Sequence, residues 1–178
     1  LPLMHPTTLA LIRAAIEEDV GSGDVTSQYF IPELTRSKAK IMAKEAGVLS
    51  GIEIALEVFR QLDKGLGIWA RKADGDAFEI GDVILEVEGR TRSILTAERT
   101  ALNFLQRLSG IATAARRYLD AVKPHPVKLL DTRKTTPGWR LLEKAAVKDG
   151  GGTNHRIGLY DQVMVKDNHH MALGQLEA

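Results

Sequence analysis

Apolar positions recur at two different spacings along this chain, and the spacing changes near residue 95. Before that point short runs of period two dominate. Ala39, Ile41 and Ala43 alternate with polar partners across Lys38–Glu45, which predicts a half-buried strand. Gly67–Lys72 and Val83–Val87 read as two more strands around the turn-rich Ala73-Asp-Gly-Asp76. Two helices interrupt them. Residues 6–18 place Leu9, Ile12 and Ile16 on one face, with Thr7 or Thr8 as cap and Gly21 and Gly23 closing the region. Ser50-Gly-Ile-Glu53 has the form of a capping box, opening a helix with Ile52, Leu56 and Phe59 on one side. The stretch Asp19-Val-Gly-Ser-Gly-Asp24 reads as a turn with capping aspartates in preference to a phosphate loop. The first hundred residues are therefore expected to be α+β with a small, mostly antiparallel sheet.

From Thr96 the spacing becomes helical. Leu95, Leu102, Leu105, Leu108 and Ile111 form a stripe, expected to break at Ser109-Gly110 and to resume through Ala115, Leu119 and Val122 until Pro124 and Pro126 stop it. Val127–Asp131 then reads as a short buried strand, Trp139–Lys148 as a helix with Trp139, Leu142 and Ala146 on one face, and Gln162–Lys166 as a second strand. Strand, helix and strand in this order make a βαβ unit of a parallel sheet or barrel. The boundary between the two parts is expected between residues 95 and 110.

Composition narrows the function classes. The 178 residues carry 24 basic and 23 acidic side chains and no cysteine. That length suits one large or two small domains. Without cysteine there is no disulfide scaffold, thiol catalysis or cysteine zinc site. The near-neutral balance argues against a nucleic-acid binder, and the few aromatics leave little for base stacking. No apolar run reaches membrane-spanning length and no signal peptide is visible, so a cytoplasmic setting is expected. The first residue is Leu1, so the natural N-terminus is expected upstream.

The candidate chemistry lies where parallel strands end, since loops there carry function in α/β folds. Asp131-Thr-Arg-Lys-Thr-Thr-Pro-Gly138, Gly150-Gly-Gly-Thr-Asn-His-Arg156 and Lys166-Asp-Asn-His169 bring Arg133, Lys134, His155, Arg156 and Lys166 to one end of the sheet. Any one of them alone reads as a solvated or hydrogen-bonded loop residue. Together, with few opposing carboxylates, they need an anion between them. Arginine forks suit carboxylates and phosphates, so the pocket is expected to take a small polyanion. Lys166 shares a strand face with Met164 and is expected to point into a barrel or cleft. Arg99 falls in the first turn of the helix expected from Thr96, where the dipole disfavours a cation; either Glu98 offsets it or it reaches an anion elsewhere.

These segments, with Ala97-Glu-Arg-Thr-Ala-Leu-Asn-Phe-Leu-Gln-Arg-Leu-Ser-Gly110 and the opening Glu18-Asp-Val-Gly-Ser-Gly-Asp-Val-Thr26, resemble the quinolinate phosphoribosyltransferases along essentially the whole chain. The resemblance implies an N-terminal α/β sandwich over residues 1–105. It places the start of an α/β barrel of the type II phosphoribosyltransferase kind in residues 106–178, stopping after about two barrel strands. It implies transfer of phosphoribosyl from phosphoribosyl pyrophosphate to quinolinate, with magnesium and with loss of carbon dioxide and pyrophosphate, giving nicotinate mononucleotide for NAD synthesis. By position, Arg133, His155, Arg156 and Lys166 would grip the substrate carboxylates and Lys134 would face both substrates, with Lys134 and Lys166 catalytic. Arg99 would enter a neighbouring subunit's site in a homodimer or larger assembly. The family chain continues beyond Ala178, and the continuation would hold the magnesium and pyrophosphate ligands, so the 178 residues alone are expected to be inactive and poorly soluble. Trp139 stands where the family has a smaller apolar residue.

Two rivals are weighed. A sister family associated with molybdenum transport is similar in sequence, and the complete arginine set speaks for the first reading. A lipoyl- or biotinyl-type carrier has the flavour of Asp74–Glu88, but it requires a modifiable lysine at a hairpin tip and none is convincing.

Overall fold

The computed structural model of the chain describes residues 4–173. In chain order the elements are α1 Pro6–Val20, α2 Val25–Phe30, β1 Arg36–Met42, β2 Gly47–Val48, α3 Ile52–Leu62, β3 Gly67–Ala70, β4 Ala77–Phe78, β5 Val83–Arg90, α4 Thr91–Ala121, α5 Arg140–Asp149 and α6 Asp167–Leu173. Strands β1, β5 and β3 form an antiparallel sheet in that spatial order, and β2 pairs with β4 in a second small one.

The period-two pattern explains this sheet. On one face Lys38 stands opposite Glu88 and Lys40 opposite Glu86, in ion pairs of 3.0 and 2.8 Å. On the other, Ala39 meets Val87 and Ile41 meets Leu85. Helices cover this second face: Ile12 from α1, Ile54, Val58 and Phe59 from α3, and Ile94, Ala101, Phe104 and Leu108 from α4 join Leu85 and Val87 in one core. Burying each large side chain contributes about 1.5–3 kcal/mol. The result is a two-layer α/β sandwich.

Several local expectations are corrected. His5 caps α1, accepting the Thr7 N–H at 3.4 Å, and Thr8 is buried instead. β1 stops at Met42, where its register with β5 shifts. The capping box at Ser50 does not form, because a long-range partner wins: Ser50 Oγ donates to Asp149 Oδ2 at 2.6 Å. Gly51 takes the cap position at φ +92°, and Asp74 Oδ1 accepts the Ile52 N–H at 2.9 Å. Helix α4 starts at Thr91 and runs unbroken through Ser109-Gly110. One internal glycine costs only about 1 kcal/mol, and Leu105, Leu108, Ala112 and Ala115 are buried on either side of it. Arg99 therefore lies in the third turn, outside the reach of the helix dipole.

Beyond α4 the parallel pairing is slight. Of Val127–Asp131, only Leu130 forms a bridge, parallel to Thr153. Asp131 N–H donates to Thr153 O at 3.1 Å and Thr153 N–H to Leu129 O at 2.8 Å. Of the expected βαβ unit the helix and this one parallel bridge are present, and neither Val127–Asp131 nor Gln162–Lys166 forms a strand. Gln162–Lys166 is irregular, and no ladder partner is found for it among the described residues. A strand exists through its ladder, and Val163 is accordingly 94% exposed. Two contacts fix α5 against α4. Trp139 stacks on Phe104 with ring centres 4.9 Å apart. At the other end, a Cβ on Gly150 would stand 2.3 Å from the Ala112 carbonyl oxygen, so only glycine lets the helices approach there.

Candidate functional site

Helix α5 organises the two loops that flank it. Lys144 is buried and pairs with Asp131 Oδ1; the two side chains are 4% and 5% exposed. Asp131 Oδ1 also accepts the His155 N–H at 2.8 Å, and its Oδ2 accepts Asn154 Nδ2 at 2.6 Å. Asn154 Nδ2 reaches the Lys144 carbonyl as well, at 2.7 Å. One turn earlier Arg140 donates to Thr135 Oγ1 at 3.1 Å and to Ile157 O at 3.2 Å, tying the first loop to the second. Glu143, also buried, accepts both the N–H and the hydroxyl of Thr136, at 3.1 and 2.7 Å. Burial pushes the Glu143 carboxyl up, but these two bonds and the Arg107 guanidinium outweigh it and hold it below the usual range.

The basic residues occupy distinct environments. Arg156 is buried and donates from Nη1 to Gln162 O at 3.3 Å. His155 Nδ1 accepts the Arg156 N–H at 2.7 Å, which assigns the neutral ring its proton on Nε2. Arg133 Nε is buried and meets no hydrogen-bond partner among the described residues. Lys134 is exposed, its N–H held by Thr132 Oγ1 at 3.0 Å. Two of the loop carboxylates, Asp131 and Asp161, are engaged in structure. Asp131 is filled as described, and Asp161 accepts the Ile157 and Gly158 N–H groups at 2.7 and 2.8 Å, which hold it below the usual carboxylate range. A net cationic site remains.

Hydrogen bonds therefore join His155 and Arg156 to Asp131, and through Arg140 to the loop that carries Arg133 and Lys134. Lys166 and Arg99 lie outside this network. Lys166 is exposed in the irregular segment rather than pointing from a strand, with its N–H on His169 Nδ1 at 3.0 Å. Arg99 is exposed and forms no ion pair among the described residues. It shares a helical ridge with Arg107, eight residues or about 12 Å further along the axis. Arg107 donates to Thr136 Oγ1 at 3.2 Å, so the ridge leads to the site.

Sequence reading missed Glu143, Lys144, Arg140, Asn154 and Arg107. Glu143 carried a signal, because it follows Trp139 by four residues and so lies on the apolar stripe of α5. Lys144 carried none, since its partner is brought to it only by the parallel bridge.

The comparisons with known proteins agree in kind. The family described as "Quinolinate phosphoribosyl transferase, N-terminal domain" matches residues 24–109, and the corresponding C-terminal domain matches residues 111–178. The chain is 46% identical over 176 residues to the decarboxylating quinolinate phosphoribosyltransferase 1 of Nicotiana glauca, covering 97% of this chain and 50% of that one. It is 47% identical over 159 residues to a probable carboxylating nicotinate-nucleotide pyrophosphorylase of Bacillus subtilis, covering 89% and 55%. Among solved structures, NadC from Streptococcus pyogenes superposes with a TM-score of 0.92 at 43% identity, over 97% of this chain and 62% of that one. The nicotinate-nucleotide pyrophosphorylase from Francisella tularensis does so with 0.89 at 43% identity, over 95% and 60%. The chain thus spans about half the length of the curated relatives it matches.

Proposed function

This chain belongs to the quinolinate phosphoribosyltransferase family, and from that premise we propose that the complete protein joins quinolinate to phosphoribosyl pyrophosphate, with Arg133, His155 and Arg156 binding the dicarboxylate. One observation carries the reading. The buried Arg133 Nε is unpartnered among the described residues, while Asp131 and Asp161 are already engaged, so a ligand carboxylate completes the site. Lys166 joins the cationic wall, Lys134 faces both substrates, and these two lysines are the proposed catalytic residues. Arg99 of a second copy enters the pocket in a homodimer or larger assembly, a reading supported by its unpaired, exposed place on α4.

The chemistry asks for positioning more than for a protein nucleophile. The pyridine nitrogen attacks the ribose carbon as the bond to pyrophosphate breaks, through a state with positive charge on the sugar. Fixed cations hold the ring in line for that attack. The ring-bound carboxylate next to the nitrogen then leaves as carbon dioxide, its electron pair stabilised by the alkylated cationic ring, and a proton replaces it to give nicotinate mononucleotide. We assign this reaction to NAD synthesis and propose a cytoplasmic setting for it. No helix among the described residues is long and apolar enough to cross a membrane. Magnesium, which the family resemblance implies, finds no fitting ligand set among the described residues. They contain no group of three histidine, aspartate or glutamate side chains, and Asp131 and Asp161 are spent on structural bonds. The carrier reading fails for want of an acceptor, because the tip between β4 and β5 holds Glu79, Ile80, Gly81 and Asp82.

The test is calorimetric titration of quinolinate into the complete protein. Arg133→Ala and Arg156→Ala should each weaken binding by about 2–5 kcal/mol, the usual loss when one partner of a desolvated charge pair is truncated. Unchanged affinity in both variants would overturn the assignment.

A further inference from the structure

Glu143 and Lys144 are neighbours in sequence, carry opposite charge, and are 9% and 3% exposed. They do not pair with each other. Glu143 spends both carboxylate oxygens on Thr136, in the loop that carries Arg133 and Lys134, with Arg107 on the same carboxylate. Lys144 spends its ammonium on Asp131, whose remaining bonds hold Asn154 and the His155 N–H in the other loop. Burying a charge costs several kcal/mol even when it is paired, so such pairs are weak sources of stability and better suited to fixing one arrangement. Successive residues on a helix point about 100° apart, so a rigid rod here grips two loops in two directions.

We propose that Glu143 and Lys144 are positioning residues that set the distance between the two cationic loops, and with it the pocket's preference for a vicinal dicarboxylate over a monocarboxylate. The proposal rests on the quinolinate reading above for its ligand, but the loop geometry does not. Glu143, through Thr136, fixes the loop that carries Arg133. Lys144, through Asp131, fixes the backbone at His155, and the Arg156 N–H bond then holds the imidazole in its Nε2–H form. A ligand with two adjacent carboxylates must bridge both loops, whereas one carboxylate can be held by either. A change in spacing therefore penalises the dicarboxylate selectively.

The experiment uses the complete protein with two replacements. Glu143→Gln keeps the shape of the side chain and removes one acceptor oxygen. The pair Lys144→Met with Asp131→Leu removes both charges together, so neither is left buried alone, and releases the Asn154 amide and the His155 N–H from their shared acceptor. Calorimetry with quinolinate and with nicotinate, its monocarboxylate analogue, should show quinolinate affinity falling about tenfold more than nicotinate affinity in each, the size expected for one buried bond. A merely structural role would weaken both ligands together. Long-range ¹H–¹⁵N spectra of the His155 ring should show the Nε2–H form in the wild type and a mixture in the paired replacement. A preference within about twofold of wild type and an unmoved His155 spectrum would overturn the proposal. If the wild type binds no quinolinate while the His155 signals still move, the substrate assignment falls and loop positioning stands.

Discussion

The sheet face of the sandwich and the surroundings of α5 use the same residue types in opposite ways. On the sheet, Lys38, Lys40, Glu86 and Glu88 are paired in water while the apolar side chains are sealed beneath. Around α5, Asp131, Glu143, Lys144 and Arg156 are buried, while Leu130, Leu159, Tyr160, Val163 and Val165 are exposed. In the first region apolar burial supplies the stability and charges only fix the register of strands. In the second, charges hold two loops in place around the proposed site. A charge is cheap to lose in one and expensive in the other.

The largest expected effect tests that contrast. Lys144→Met alone leaves Asp131 buried without its cation and should destabilise the protein by about 3–5 kcal/mol in denaturant unfolding. A loss below about 1 kcal/mol would place α5 in the same class as the sheet. Next is Ser50→Ala, which cuts the bond from the start of α3 to Asp149 at the end of α5. It should cost about 1–3 kcal/mol and quicken amide exchange over residues 150–156, since the loop starts where that bond ends.

The pH dependence should separate the regions by sign. Burial pushes the Asp74 carboxyl up from 3.8 to about 6, with the nearby Asp149 adding to it and the Ile52 and Gly51 N–H groups opposing. Between those values the unfolded chain gives up this proton before the folded one, so this group makes stability fall as pH rises through the window. Asp74→Asn should flatten that limb and raise the melting temperature at pH 7. Glu86 behaves oppositely: hydrogen bonds from Lys40 and Arg71 hold it down to about 2, and its stabilisation is lost as pH falls from 4.5 toward that value. Melting curves of Asp74→Asn and Glu86→Gln across pH 2–7 should therefore differ from wild type in opposite senses. The smallest effect is Lys40→Met, below about 1 kcal/mol, because its pair with Glu86 is solvated.

How far the sequence could be read follows the same division. The three strands of the main sheet are legible because alternation is local, and Ala39 and Ile41 point inward as the pattern requires, whereas β2, β4 and α2 are too short to show a period. What misled was competition from distant partners. Ser50 has the form of a cap and instead serves Asp149, ninety-nine residues away. The start of α4 has no local mark, because its cap residue, Arg90, makes no side-chain cap bond. Of the site, the three cationic loops were visible as motifs. The side chains that hold them were not, since Lys144 and Asp131 meet only after Leu130 and Thr153 are aligned.

Helix α4 has a consequence for anyone who would exchange parts of this protein. Its 31 residues make a rod about 46 Å long. The junction between the two family matches, at residue 110, falls inside it. A chimera joined at that junction would take Phe104 and Leu108 from one parent and Ala112 and Ala115 from the other. Leu108 packs with α3 in the sandwich core, while Ala112 receives Gly150 at a distance no larger residue permits. Each of those contacts then stays within one parent, and the seam cuts instead the bond by which Thr113 Oγ1 accepts the Val48 N–H at 2.9 Å and the stacking of Trp139 on Phe104. Recombination after Val122 keeps Thr113 with the sandwich but divides Ala112 from Gly150, the contact with no room to adjust, so shuffled libraries should yield fewer folded progeny from that crossover than from one at residue 110.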